Sequence, residues 1–490
     1  MMKRRDDLFE LIQSLSPSET RYVSLNLKGA RKKETDYLKL FNYIRGLKSY
    51  DEKVLRERFH GEKFVNQLDV KKHYLYDSIV KHLLSYKFSK SRGKRVDEHV
   101  EILIQKGLLH QALHLIENTL KDKLEKEDFS MVLRLLDQLE KLSQYLTQEI
   151  DRTEVLEKME KNLERYQNHF KYNTLYIKVR SLVQKYTFVR SDSMAKTFEQ
   201  VLQSPLLKSE DKAISKSARY LFHEILYLIT ASSGDWEKAY SHAEEQVKML
   251  EEINSPYFSK EWIPAIYPHL ISATIHLKKF DLAQKHLNAL FQIQNTKANK
   301  ANHHYCFFQL MELNKAEDID NLQVKVKEHE EYLKEEKGNM PFTLGNYYAY
   351  ELAKSYFILE DYRQAQRVNQ QVINSAIDAE YSLDLYSFAS ILDIILSVEL
   401  ESLDLMEVQC RTAKNIMQKR EVYYSLEQTF IEFAEKNFID LSKHPNKENL
   451  KVYEEFRNAI KKEIDQPLNG AVESYLDLRT WCDDLVARCC

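Results

Sequence analysis

The sequence predicts an all-α protein whose helices recur as repeats, and three observations carry that prediction. Only 9 of 490 residues are Gly and 8 are Pro, about 2% each against averages of roughly 7% and 5%. Folds rich in strands draw on both residues for turns and bulges, and few such turns can be built here. Charged residues reach 30%, which suits long helices with one solvated face. Finally, 490 residues exceed the ~250–300 that a single core sustains. The chain must therefore divide into domains or stack units that bury one face against the next.

Residues 1–95 read as a separate N-terminal helical domain. Leu8, Phe9, Leu11, Ile12 and Leu15 form one apolar face. Ser16-Pro17-Ser18-Glu19 starts the next helix, with Ser16 as N-cap, Pro17 in the first turn and Glu19 closing a capping box. Tyr37, Leu38, Phe41, Ile44 and Leu47 mark a third helix, and Asp51 is placed to cap a fourth. Leu68, Leu75, Ile79 and Leu83 line a longer helix ending near Phe88. The polar, basic stretch from Ser89 to Arg95 is the predicted linker.

Beyond it a local pattern recurs: a polar residue, an aromatic, two variable positions and an alanine. It appears at Asp235-Trp236 before Ala239, at Lys279-Phe280 before Ala283, and at Asp361-Tyr362 before Ala365. Leu226, Leu270 and Leu352 precede these alanines at one constant spacing. Gly107 and Ala112 mark a weaker copy, with His99 where the leucine is expected. The alanine fits where a second helix crosses the first, the aromatic staples the turn, and the leucine fills the seam. Gaps of 127, 44 and 82 residues separate Ala112, Ala239, Ala283 and Ala365. A unit of about 42 accounts for all three and implies further copies near residues 154, 195, 324 and 408, longer than the usual 34.

This pattern resembles the tetratricopeptide (TPR) family. The resemblance implies a TPR-like α–α superhelix, a right-handed solenoid, over residues 96–466, clearest at 220–253, 264–297 and 346–379. Residues 467–490 are read as a C-terminal capping helix. The opening LFELIQSLSPSETRYVSLNL, with YLKLFNYI and EKFVNQLDVKKHYLYDSI, also resembles a bacterial group of TPR-like proteins. That likeness implies a fold and an origin and carries no activity. TPR arrays that hold chaperone C-termini use Lys and Asn on the first helix of the motif. The matching positions here are Glu224, Leu228, Pro268, Ser272, Tyr350 and Lys354, which do not reproduce that clamp.

Chemistry-bearing motifs are scarce. The sequence contains no GxGxxG, no Walker-type loop, no GxSxG elbow and no HExxH. His110, His114 and Glu117 share a helix face at metal-like spacing, but they read as decoration of a solvated face. Paired carboxylates such as Glu244-Glu245 read as solvated faces too. The expectation is therefore no enzyme, no cofactor and no metal. Five cysteines without a CxxC fit free thiols in a reducing cytoplasm. The Cys489-Cys490 pair resembles a prenylated tail but has no GTPase motif beside it. Neither a signal peptide nor a membrane span is written in the sequence.

Charge is uneven. Residues 1–95 hold 23 Lys+Arg against 12 Asp+Glu, and the remainder 49 against 63. Such a split points to a nucleic acid, an acidic partner or an internal docking face. Arg31, Lys32, Lys33, Lys71, Lys72 and Lys81 form the candidate basic face. The leading expectation is a non-enzymatic scaffold that binds a protein or peptide in a helical-repeat groove. The alternative is a nucleic-acid-associated regulator working through the basic N-terminal residues.

Overall fold

The computed structural model describes residues 7–28, 35–90, 96–252, 263–293, 298–316, 318–336, 340–377, 382–402, 405–439, 445–466, 468–469 and 472–489. Among them regular structure is entirely helical, with 23 α-helices, a few 3-10 turns and no strand. The chain separates into two compact units, Met1–Thr119 with Gln138–Ile150, and Leu120–Asp137 with Asp151–Cys490.

The first unit begins with α1 (Asp7–Gln13), α2 (Pro17–Asn26), α3 (Asp36–Arg45) and α4 (Glu52–Arg58). Ser16 and Glu19 form the capping box: the Ser16 N–H donates to the Glu19 carboxylate at 2.9 Å, and the Ser16 hydroxyl accepts from the Glu19 N–H. Asp51 caps α4 by accepting from Lys53 N–H. Helix α5 runs from Leu68 to Lys90, so Ser89 and Lys90 of the predicted linker are helical, and 91–95 lie outside the described residues. Leu8, Ile12, Val23, Phe41, Ile44, Leu55, Leu75 and Ile79 close the core. Helices α6 (Val96–Gln105), α7 (Leu109–Glu125) and α8 (Phe129–Ser143) follow, and the boundary between units passes through the last two.

The second unit continues with α9 (Arg152–Tyr186), 35 residues without a break, and α10 (Asp192–Leu202). Helices then come as consecutive packed neighbours: α11 (Lys216–Ser232), α12 (Trp236–Glu252), α13 (Ile263–His276), α14 (Phe280–Gln292), α15 (Ala298–Ala316), α16 (Ile319–Glu336), α17 (Phe342–Ile358), α18 (Tyr362–Ala376), α19 (Leu383–Glu399), α20 (Met406–Lys419), α21 (Ser425–Asn437), α22 (Leu450–Ile464) and α23 (Leu478–Ala487). The three aromatic–alanine stretches each open the second helix of a pair: α11 on α12, α13 on α14 and α17 on α18. In place of one capping helix over 467–490, a short 3-10 turn (Val472–Ser474) precedes α23.

The turns share one backbone device. Gly107, Glu127, Gly234, Lys278, Glu360, Glu401 and Glu421 all have positive φ, from 53° to 77°. At each, the next residue's N–H reaches back to the carbonyl five positions earlier, as Asp235 does to Thr230 and Asp361 to Tyr356, both at 2.9 Å. This left-handed closure satisfies carbonyls at the helix end that would otherwise lack partners. The side chain five residues after each left-handed residue is fully buried: Ala112, Val132, Ala239, Ala283, Ala365, Met406 and Leu426. Sequence inspection finds four of these turns. Those at Glu127, Glu401 and Glu421 escape it because neither glycine nor the alanine marks them. Glu127 does further work: its carboxylate, 3% exposed, accepts from Lys216 and Ser217 N–H at 2.9 Å each and caps the start of α11.

Candidate peptide-holding face

Within the second unit, two short connecting stretches of the chain, one of them containing the 3-10 turn, lie against the first helices of successive pairs. One is residues 187–190, leaving α9. Val189 N–H donates to Ser232 O of α11 at 2.8 Å. Phe188 packs edge-on against Trp236 and Tyr475, and Thr187 and Tyr347 hydroxyls meet at 2.9 Å. Arg190 then inserts between α19 and α21. It donates to both Glu427 oxygens, at 2.5 and 2.9 Å, and lies 3.5 Å from Asp384. The Tyr424 and Phe388 rings flank its guanidinium at 4.5 and 5.2 Å. All three ionic side chains are buried, at 0% or 1% exposure. Burial opposes the Arg190 charge, yet Glu427 and Asp384 outweigh it and raise its pKa. Burial pushes Asp384 up to about 7 against the pull of Arg190.

The other stretch, 472–478, is held by its main chain. Lys315, at the end of α15, donates to Glu473 O at 3.1 Å and Ser474 O at 2.8 Å. Lys354 of α17 reaches Ser474 O at 3.5 Å. Its ammonium is fixed by Glu351 at 2.7 Å, and Glu351 is in turn held by Asn314 Nδ2, which contacts its carboxylate at 3.0 Å and its carbonyl at 2.8 Å. Burial, with Lys354 nearby, lowers Lys315 to about 7 despite Glu351. Tyr475 fills an aromatic slot: it stacks on Phe388 at 4.8 Å and 7°, and its hydroxyl meets that of Tyr347 at 3.1 Å. Beyond the slot, Trp481 Nε1 donates to Glu399 at 2.8 Å. Chemically, the face grips carbonyls with ammonium groups and one side chain with aromatic rings. That is a means of holding polypeptide.

The residues singled out in the sequence fall into two sets. Ala239, Leu270, Ala283, Leu352 and Ala365 are buried, and Leu226 is half-buried against its neighbours. Of the basic set, Arg31, Lys32 and Lys33 lie outside the described residues. Lys71 pairs with Asp36 at 3.2 Å and sits over the Tyr37 ring. Lys72 donates to the Tyr50 hydroxyl at 2.7 Å, and Lys81 is exposed. His110 meets Glu149 at 3.2 Å and His114 meets Asn118 at 3.0 Å, so both histidines of the metal-like trio contact other side chains. Among the described residues no group of three or more His, Cys, Asp or Glu is placed to hold a metal ion. No described helix is long and apolar enough to cross a membrane. Cys489 is buried with its thiol against Leu485 O.

Sequence reasoning passes over Arg190, Lys315 and Tyr475. It meets Lys354 only as a position of a terminal-carboxylate clamp, whereas Lys354 faces a main-chain carbonyl. For Lys315 and Tyr475 no local signal exists, because the carbonyl partners of Lys315 lie 158 and 159 residues away and the hydroxyl partner of Tyr475 lies 128 away. No family model and no curated protein matches the chain.

Proposed function

We propose that this chain is a non-catalytic, TPR-like scaffold that binds a polypeptide segment along the first-helix face of its second unit. The observation that carries the reading is the grip on residues 472–478. Two lysines on successive first helices donate to carbonyls, and an aromatic slot takes one side chain. Any peptide offers carbonyls, so such a face suits a protein ligand better than a small metabolite. In this reading the chain's own segment occupies the position a partner segment would take, and the two compete. The superhelical stacking implied by the TPR resemblance supports it, since repeat arrays present their first helices along one continuous face. The nucleic-acid alternative has weaker support, because Lys71 and Lys72 are already engaged by Asp36 and Tyr50.

The test uses the full chain as bait in native lysate at low and moderate salt, beside a Tyr475→Ala variant that loosens the segment. A stoichiometric protein retained more strongly by Tyr475→Ala, and lost on Lys315→Ala/Lys354→Ala, is the expected result. Failure of both baits to retain any stoichiometric protein would sink the proposal.

A further inference from the structure

Helix α9 carries an apolar stripe on its solvent side. Leu156, Leu163, Phe170 and Ile177 recur every seven residues and are 56%, 44%, 61% and 55% exposed. The opposite face of the helix is buried through Tyr172 and Val179, and Val155 is buried on one flank, so the stripe does not serve the core. It extends for about six turns, roughly 31 Å at 1.5 Å per residue. A strict seven-residue spacing drifts slowly around a straight helix, and a second helix crossing at about +20° follows that drift. The stripe thus follows the path that a packed second helix takes along α9.

A charged row about 100° further round the helix bears on what would cover the stripe. Glu157, Glu164, Lys171 and Lys178 share the same seven-residue spacing, and all four are exposed. None of them has an ionic partner within the chain among the described residues. The row therefore reads acid, acid, base, base. Turned end for end about an axis near Gln167, it complements itself: Glu157 meets Lys178 of a second copy, and Glu164 meets Lys171. In a parallel two-fold pair this row faces the opposite flank of the partner's stripe instead, and the complementary charges do not meet. Glu160, Gln167, Thr174 and Ser181, each four positions on from a stripe residue, lie between the stripe and this charged row and are polar, which favours a reversible contact over a permanent one.

We infer that α9 is a self-association surface, pairing antiparallel with α9 of a second copy of this chain about a two-fold axis. Such a contact is closed, since one patch serves both copies and leaves nothing open for further addition. It is independent of the peptide-holding face and stands or falls separately from it.

Sedimentation velocity on the full chain across the micromolar range tests the inference. A reversible monomer–dimer equilibrium is expected. Phe170→Glu, on an exposed position, leaves the melting temperature unchanged and raises the dissociation constant at least about tenfold. E157K, which sets two ammonium groups against each other where Glu157 would meet Lys178 of the second copy, weakens pairing by roughly 3- to 10-fold. Adding K178E to E157K restores it, because the charges are then exchanged within each antiparallel pair. A chain that stays monomeric throughout overturns the proposal, as does a dimer indifferent to Phe170→Glu. So does an E157K/K178E variant that pairs no better than E157K alone. If the purified chain is monomeric while another protein binds it through Phe170, the stripe belongs to that protein instead.

Discussion

At Arg190 one guanidinium faces two carboxylates in a site closed to water. Glu427 takes the two short hydrogen bonds, while Asp384 Oδ2 has no hydrogen-bond partner. A proton resting on Asp384 resolves the imbalance, in keeping with its pKa of about 7. The folded protein then binds more protons than the unfolded chain between the ordinary aspartate range and about pH 7. Stability from this group is present below pH ~4 and is lost as pH rises toward 7. Asp384→Asn is expected to flatten that fall while leaving stability at pH 4 close to wild type, measured by urea titration at several pH values. Arg190→Met leaves two buried carboxylates without their cation and is expected to cost about 3–5 kcal/mol at neutral pH.

At the scale of the element, the helix pairs are the part most legible from sequence. Trp236, Phe280 and Tyr362 with their alanines mark the turns because the crossing of two helices tolerates little bulk. Ala283→Leu is expected to cost about 1–3 kcal/mol by overpacking, read from the denaturation midpoint. The turns at Glu127, Glu401 and Glu421 are hidden because the left-handed position accepts non-glycine residues, and because Val132, Met406 and Leu426 replace alanine at the crossing. Gly107 separates backbone from packing effects: a Cβ there would touch nothing, and φ is +73°. Gly107→Ala should therefore cost about 1 kcal/mol on conformational grounds alone. In the other direction, Glu360→Gly should change stability by less than about 1 kcal/mol.

Over the whole second unit, neighbouring helices supply a chain of local contacts, and two short connecting stretches tie distant helices together. Arg190 to Glu427 spans 237 positions and Thr187 to Tyr347 spans 160. Periodicity cannot reveal such ties, because it reports only which side of a helix is buried. The face that holds residues 472–478 is for this reason illegible, although the helices that build it are not. Tyr475→Ala is expected to loosen residues 472–478 and to give a new early cut there in limited proteolysis, with the helices upstream still protected. The left-handed turns spelled with Glu or Lys also bear on the state that competes with the fold. Each carries roughly 1 kcal/mol of native strain that glycine would relieve. Each also denies the denatured chain the freedom glycine would give it, about 0.4–1 kcal/mol per site. The two nearly cancel, so a chain with only 9 glycines makes its reversals at little net cost while starting from a narrower, stiffer disordered ensemble.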